Sequence, residues 1–142
     1  MKKLFGLLFI GALVSLTACA QKLAAAKVPS PVKESFAKQF PGATAKWEKE
    51  EGKYEAGFKH QGHEMSALFD ANGTMEESEM EIQISELPAA VANYVKTNHS
   101  GAAIKEAAKL TKSNGEVQYE AELKGKDLIF DAFGKFIKEV KD

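Results

Sequence analysis

The chain has 142 residues, about the length of one domain. All 19 basic residues are lysines, and with 20 acidic residues they leave a net charge of −1. This balance argues against a nucleic-acid-binding protein, which would show a clustered basic excess. A single cysteine excludes an intrachain disulfide and a cysteine-based zinc site.

The N-terminal segment has the pattern of an export signal. Two lysines precede an apolar run at residues 4–16, which is too short to span a bilayer. Two processing sites remain open. Leu16-Thr17-Ala18-Cys19 resembles the bacterial lipobox and predicts a signal peptide at 1–18 with a lipid on Cys19, whereas Ala18-Cys19-Ala20 also fits ordinary cleavage after residue 20. In both cases we predict an exported protein, periplasmic or an outer-membrane lipoprotein, whose only link to the membrane is the lipid.

After a predicted tether at 19–27, the rest of the sequence consists of two similar segments, repeat 1 at 28–84 and repeat 2 at 85–142. VPSPVKESFAKQFPGA at 28–43 matches LPAAVANYVKTNHSGA at 87–102. Further along, KYEAGF matches QYEAEL, and LFDANGTM matches IFDAFGKF. Because the motifs occur in the same order, we interpret the chain as a duplication.

Each repeat is predicted to begin with a helix. In repeat 1, Ser30 is the expected N-cap and Pro31 fits the first helical position. An apolar stripe with a spacing of four residues then marks one buried face, formed by Val32, Phe36 and Phe40. Val91 and Val95 continue the same stripe in repeat 2.

Segments with a period of two follow each helix and predict strands with one buried and one wet face. They lie near 45–48, 54–59, 64–70 and 80–84 in repeat 1, and near 117–123, 128–130 and 136–140 in repeat 2. The short connections between them require antiparallel neighbours. The predicted fold class is α+β, a tandem duplication of a helix plus a four-stranded antiparallel sheet. Units of this size are marginal alone, so we expect the copies to share a core or a continuous sheet.

These motifs resemble the PepSY-like, β-lactamase-inhibitor-like family of exported bacterial proteins. The residues responsible are Pro29, Val32, Phe36, the FPGA run at 40–43, WEKE at 47–50, YEA at 54–56 and FDANG at 69–73. The second repeat departs from the pattern, with Glu106 where Trp47 aligns and Phe133 where Asn72 aligns. The resemblance implies a fold like that of a β-lactamase inhibitor protein and no catalytic residues. Related PepSY domains are thought to bind or restrain peptidases.

The run His60-Gln61-Gly62-His63-Glu64 contains the candidate metal ligands His60 and His63. Its order differs from the zincin motif, and a turn with Gly62 is not the helix that the motif requires. Two solvent histidines flanking a turn are the favoured interpretation. The segment 70–76 lacks the ligand spacing of an EF-hand and is predicted to be a hairpin turn. No metal and no cofactor are therefore assigned.

Strand alternation divides the predicted sheet into an apolar and a polar face. We expect Trp47, Tyr54 and Phe58 to form core beneath the first helix, because a sheet must bury one face. Glu77, Glu79 and Glu81 should share the polar face and be solvated. This polar face is the predicted contact surface, with the candidate binding residues Lys46, Glu48, Glu55, Lys59, Gln118, Glu120 and Glu122.

The sequence contains no nucleophile elbow and no glycine-rich phosphate loop, and its sole cysteine belongs to the leader or carries a lipid. We therefore predict a protein that is not an enzyme, but a binding module that binds or inhibits an envelope protein or peptide, a peptidase being one option. The alternative is a small-ligand or metal-binding envelope protein that uses the His60/His63 turn or the groove between the repeats.

Overall fold

The computed structural model describes residues 21–141, so the predicted signal peptide and the lipidation site Cys19 lie outside the described residues. The described segment forms nine strands and two α-helices. In chain order they are β1 (Gln21–Leu23), α1 (Ser30–Gln39), β2 (Lys46–Glu50), β3 (Lys53–His60), β4 (His63–Phe69), β5 (Met75–Ile82), α2 (Ala89–Asn98), β6 (Glu106–Lys112), β7 (Val117–Leu123), β8 (Lys126–Asp131) and β9 (Phe136–Lys141). Short 3₁₀ helices at Ala25–Lys27 and Ile84–Glu86 precede α1 and α2. Neither described α-helix has the length and apolar character needed to cross a membrane.

The nine strands form one antiparallel sheet in which spatial order follows chain order. Each strand can pair with the next because the connections are short or return through a single helix. The β5–β6 pairing joins the two repeats, with Ile82 opposite Ala107 and Glu77 opposite Lys112. The expectation of helices on an antiparallel sheet is confirmed, and the sheet is continuous across the repeats.

Helix α1 begins one residue earlier than the sequence predicted. Pro29 is the N-cap of α1 and Pro88 that of α2, and neither makes a side-chain cap hydrogen bond. The expectation that Ser30 is the cap was therefore wrong. Pro31 explains why a side-chain cap is dispensable in α1, since proline has no N–H to satisfy in the first turn.

Both helices pack on the same face of the sheet, over two neighbouring apolar clusters. The first contains Phe36, whose ring centroid is 5.4 Å from that of Trp47 and 4.9 Å from that of Phe58. Tyr54 also belongs to this cluster, so the prediction of core at these three positions is confirmed. In the second cluster Val91 and Val95 of α2 lie on β6, β7 and β8.

Two segments differ from expectation. Residues 21–23, assigned to the tether, pair with β2 as an edge strand, and Leu23 packs against the first cluster. Strand β6 was not located from the sequence, because both Ala107 and Ala108 are buried and the strand lacks alternation. A strand in the middle of a sheet can lose water on both faces, which erases the period of two.

Candidate functional site

The candidate site is the polar face of the sheet, which we define as the face opposite α1 and α2. Strand register places all seven predicted binding residues on this face. Glu48 lies opposite Glu55, and Glu122 lies opposite Glu106. Lys46 and Lys59 are exposed, whereas Gln118 and Glu120 lie nearer the centre. The register therefore brings these side chains onto one surface; their role in binding stays a prediction.

A depression of about 320 Å³ occupies the centre of the polar face. Both repeats line it, and it crosses the β5–β6 junction. Its acidic residues are Glu76, Glu77, Glu79, Glu120 and Asp127, and its lysines are Lys53, Lys112 and Lys138. With five acids and three lysines, the lining has a formal charge of −2 when every group is ionised.

The floor of the depression is apolar. Leu68, Leu110 and Ile129 are buried there, although no helix of the described segment covers this face. Neighbouring side chains on the twisted sheet exclude water from these three residues instead. Sequence alternation missed this floor, because Leu68 and Leu110 lie at positions where the period of two predicts wet side chains.

Glu79 is the most unusual residue of the site, since its side chain is charged and only 5% of its surface is exposed. Burial raises the pKa of the Glu79 carboxyl well above its usual value, and the nearby carboxyls of Glu120, Glu77, Glu55 and Asp127 raise it further. The expectation that Glu77, Glu79 and Glu81 share a face is confirmed by their register. The expectation that all three are solvated was wrong for Glu79, because the curved sheet surrounds it with neighbouring strands.

Glu55 has a related environment on β3. Burial raises the pKa of its carboxyl to about 7, with further contributions from Glu48 and Glu50. A group with a pKa near 7 changes its charge across the ordinary range of cellular pH. The charge of the polar face therefore depends on pH.

Two of the three lysines that line the depression form ion pairs with glutamates. Lys53 forms an ion pair with Glu76, and Lys112 forms one with Glu77. The pKa of Lys138 is lowered by burial and by the neighbouring charge of Lys112.

Ser66 is a second buried polar residue of this face. It lies directly opposite Glu79 in the β4–β5 register and opposite Gly57 in the β3–β4 register. Its hydroxyl oxygen is buried and has no hydrogen-bond partner. Strand alternation does not single out Ser66, since a serine on a solvent-facing side of a strand is ordinary and only the curvature of the sheet buries it.

The histidine pair was the other candidate. His60 lies directly opposite His63 across the Gln61-Gly62 turn. The His60 ring makes an edge contact with Phe40, with centroids 5.7 Å apart, and Nδ1 of His63 is 3.4 Å from the Glu81 carbonyl oxygen. Among the described residues no group of three or more His, Cys, Asp or Glu is arranged to hold a metal ion. The turn therefore offers two imidazoles without a third ligand.

Comparisons with known proteins agree on one family. A family model described as "Putative beta-lactamase-inhibitor-like, PepSY-like" matches residues 15–77 and 52–138. No curated protein matches the chain significantly.

Solved structures from Bacteroides share the fold. A DUF2874 family protein from Bacteroides uniformis has a TM-score of 0.71 at 20% identity, covering 80% of this chain and 88% of that one. A BLIP-like protein from Bacteroides fragilis has a TM-score of 0.63 at 27% identity, covering 80% and 86%. A third, from Bacteroides eggerthii and described as one of its "putative periplasmic proteins", has a TM-score of 0.72 at 16% identity, covering 80% and 88%. The repeated motifs, the fold and the match to the family model together place the chain in the PepSY-like, β-lactamase-inhibitor-like family.

Proposed function

We propose that this protein is a non-enzymatic binding module of the cell envelope that holds a protein or peptide on its polar face. It is built as a tandem duplication of a unit with one helix and four strands. The observation that supports the proposal is the depression around Glu79, which combines an apolar floor with buried carboxyls. Burial removes hydration from these carboxyls, and polar groups of a bound partner would replace it.

Export and anchoring are part of the same proposal. The segment 1–18 has the pattern of a signal peptide, and Cys19 lies where lipidation requires a cysteine. The similar protein from Bacteroides eggerthii is described as periplasmic. A lipid on Cys19 would hold the domain close to a membrane and restrict its partners to the envelope.

The family supports a binding role over catalysis, because its description refers to an inhibitor. A peptidase is the partner class that the resemblance to PepSY domains favours. Fold likeness alone does not transfer β-lactamase inhibition to this chain. We therefore leave the partner defined by its compartment and by the surface that it contacts.

Site-specific photo-crosslinking in living cells tests this proposal. A photoreactive residue at Gln118, inside the depression, should yield a crosslinked protein partner. The matched control is Lys96, an exposed residue of α2 on the opposite side of the sheet, which should not yield that product. No product from Gln118, or the same product from both positions, contradicts a partner on the polar face.

A small ligand in the groove between the repeats is the second candidate. The depression reaches the lower limit of volumes found for small-molecule sites and is lined by both repeats. Native mass spectrometry of protein isolated gently from its envelope should then show one additional small mass. Gln118→Trp should remove this mass by filling the depression, whereas Lys96→Trp should retain it. An unliganded mass for the parent protein excludes a tightly held small ligand.

A further inference from the structure

We propose that β9 is a dimerisation edge, which pairs antiparallel with β9 of a second copy of this chain around a two-fold axis at Val140. The two nine-stranded sheets then form one continuous sheet, with both polar faces on the same side. The inference goes beyond the proposed function, because it concerns a second copy of this chain and not the envelope partner.

The first argument is the position of β9 at the end of the sheet. Among the nine strands of the described segment, β9 is last in spatial order and pairs only with β8. An edge strand presents a row of backbone N–H and C=O groups on which another strand can pair. The other edge is formed by β1, which has three residues against the six of β9. The longer free edge is therefore that of β9.

The second argument is the duplication, which contains an example of the same junction. The match of LFDANGTM with IFDAFGKF gives β5 in repeat 1 and β9 in repeat 2 corresponding positions. The outer side of β5 carries β6 as an antiparallel neighbour, and an ion pair between Glu77 and Lys112 crosses this junction. In repeat 2 the corresponding side of β9 is the free edge. The fold thus already extends a strand of this kind by a further antiparallel strand with an opposite charge.

The third argument is that symmetry allows few registers. Directly opposite side chains lie on the same face of a sheet, so the two-fold axis of two identical antiparallel strands must pass through a residue. Ile137 is a bulge residue without a counterpart on β8, and the four residues of β9 that follow it are Lys138, Glu139, Val140 and Lys141. An axis through any of the three charged residues would set two like charges directly opposite each other, which is destabilising. Val140 alone among the four avoids this repulsion.

With the axis at Val140, the edge is complementary to itself. Glu139 of each copy lies opposite Lys141 of the other copy, which gives two pairs of opposite charge. The two Val140 side chains meet between them on the polar face. The next residue in the sequence is Asp142, so a strand continued by one residue in this register would set an acidic residue opposite Lys138. This self-complementarity favours a second copy over an unrelated strand.

The dimer would also complete the candidate site. Lys138 and Val140 line the depression of the polar face. The β9 strand of the second copy would lie beside these two residues and form the outer wall of the depression. Because a single pair of edge strands buries little surface, we expect a weak, reversible dimer.

The experiment is disulfide trapping of the full chain in cells treated with diamide, a membrane-permeant thiol oxidant. Val140→Cys places a thiol on the axis, where the two Cα atoms would be about 4.5–5.5 Å apart, a separation that a disulfide spans. Ile137→Cys is the matched control, since Ile137 is exposed on the same strand but its two Cα atoms would be about 20 Å apart. We expect at least about tenfold more disulfide-linked dimer from Val140→Cys than from Ile137→Cys on a non-reducing gel. The parent chain, whose only cysteine is Cys19, gives the background.

Exchange of charges tests the register. In the Val140→Cys chain, Glu139→Lys sets lysine opposite lysine, and Lys141→Glu sets glutamate opposite glutamate. Each variant alone should form about tenfold less dimer. When they are co-expressed with different tags, the two variants should pair with each other, because every charged pair across the axis is then of opposite sign. Lys96→Glu, an exposed change on α2, is the control and should leave the dimer unchanged.

Three results overturn the proposal. The first is equal dimer from Val140→Cys and Ile137→Cys, or no dimer from a Val140→Cys chain whose thiol a maleimide labels. The second is a disulfide product of a different mass, which would mean that another protein occupies this edge. The third is a mixed pair of charge variants that forms no more dimer than either variant alone. Capture of an envelope partner from Gln118 is a separate result, so the proposed function can stand when the dimer fails.

Discussion

Gly73 lies directly against Pro31: a Cβ atom added to Gly73 would overlap with the carbonyl oxygen of Pro31. Gly134 has the corresponding position in the second repeat, where an added Cβ would be 2.9 Å from the Cβ of Ala90. In each repeat, therefore, the turn between the last two strands closes onto the first turn of the helix. Both glycines also have a φ of +87°, which L side chains rarely adopt.

Gly73→Ala should destabilise the protein strongly. The unfavourable backbone conformation costs about 1–2 kcal/mol, and the overlap adds roughly 1–3 kcal/mol. Gly62→Ala is the matched control, because Gly62 has a φ of +83° but nothing within 4 Å of the added Cβ. Urea denaturation should show a larger loss of unfolding free energy for Gly73→Ala than for Gly62→Ala. Equal losses would mean that the turn can move away from the helix without cost.

The stability of the protein should depend on pH through Glu55. Its pKa is about 7 in the folded protein and near 4.5 when unperturbed, so the folded state holds the proton more strongly. The associated stabilisation is complete below pH 4.5 and is lost as pH rises through 7. Glu55→Gln should therefore raise the unfolding free energy at pH 8, by about 2 kcal/mol after allowance for partial exposure, and have little effect at pH 4.5.

The control for this measurement is Glu64→Gln, which changes an exposed carboxyl opposite Lys59. Its effect on the unfolding free energy should remain within about 0.5 kcal/mol at both pH values. A Glu55→Gln variant whose gain in stability is the same at pH 4.5 and pH 8 would show that improved packing, and not ionisation, is responsible.

Phe133 is 87% exposed at the tip of the β8–β9 turn, where repeat 1 has Asn72. Its turn is held by Asp131, whose Oδ1 accepts hydrogen bonds from the backbone N–H groups of Phe133 and Lys135. Phe133→Asn should change the unfolding free energy by less than about 0.5 kcal/mol, because the ring buries almost nothing. Asp131→Ala should cost about 1–3 kcal/mol, because it removes the oxygen that accepts both of these hydrogen bonds. Thermal unfolding of the two variants checks this contrast, and a large loss in Phe133→Asn would contradict it.

Cys19 should carry a lipid if the lipobox is the processing site. Cells grown with an alkyne-labelled fatty acid should label the parent protein, and Cys19→Ala should lose the label and move to the soluble envelope fraction. Ser15→Ala, within the apolar run of the predicted signal peptide, serves as the control and should retain the label. An unlabelled parent protein would favour ordinary cleavage after residue 20.

Local patterns predicted most elements because they report periods that the backbone itself imposes. The stripe of Val32 and Phe36 located α1, and alternation around Tyr54 located β3. Strand β6 was not predicted because Ala107 and Ala108, which point to opposite faces of the sheet, are both buried. The seven predicted binding residues share a face for the same reason that β3 was found: side chains two apart in a strand point the same way.

From the sequence alone we predict the duplication, the two faces of the sheet and an export signal, because each is a pattern that can be found along the chain without knowing which residues meet in space. Only the tertiary structure decided which polar residues lose their water. Glu79 and Ser66 come from different strands, and they are buried because nine strands in chain order curve into one surface with an apolar floor. The near-zero net charge of the chain therefore does not reveal the local excess of carboxyls, which arises where β5, β7 and β8 bring their acidic residues together.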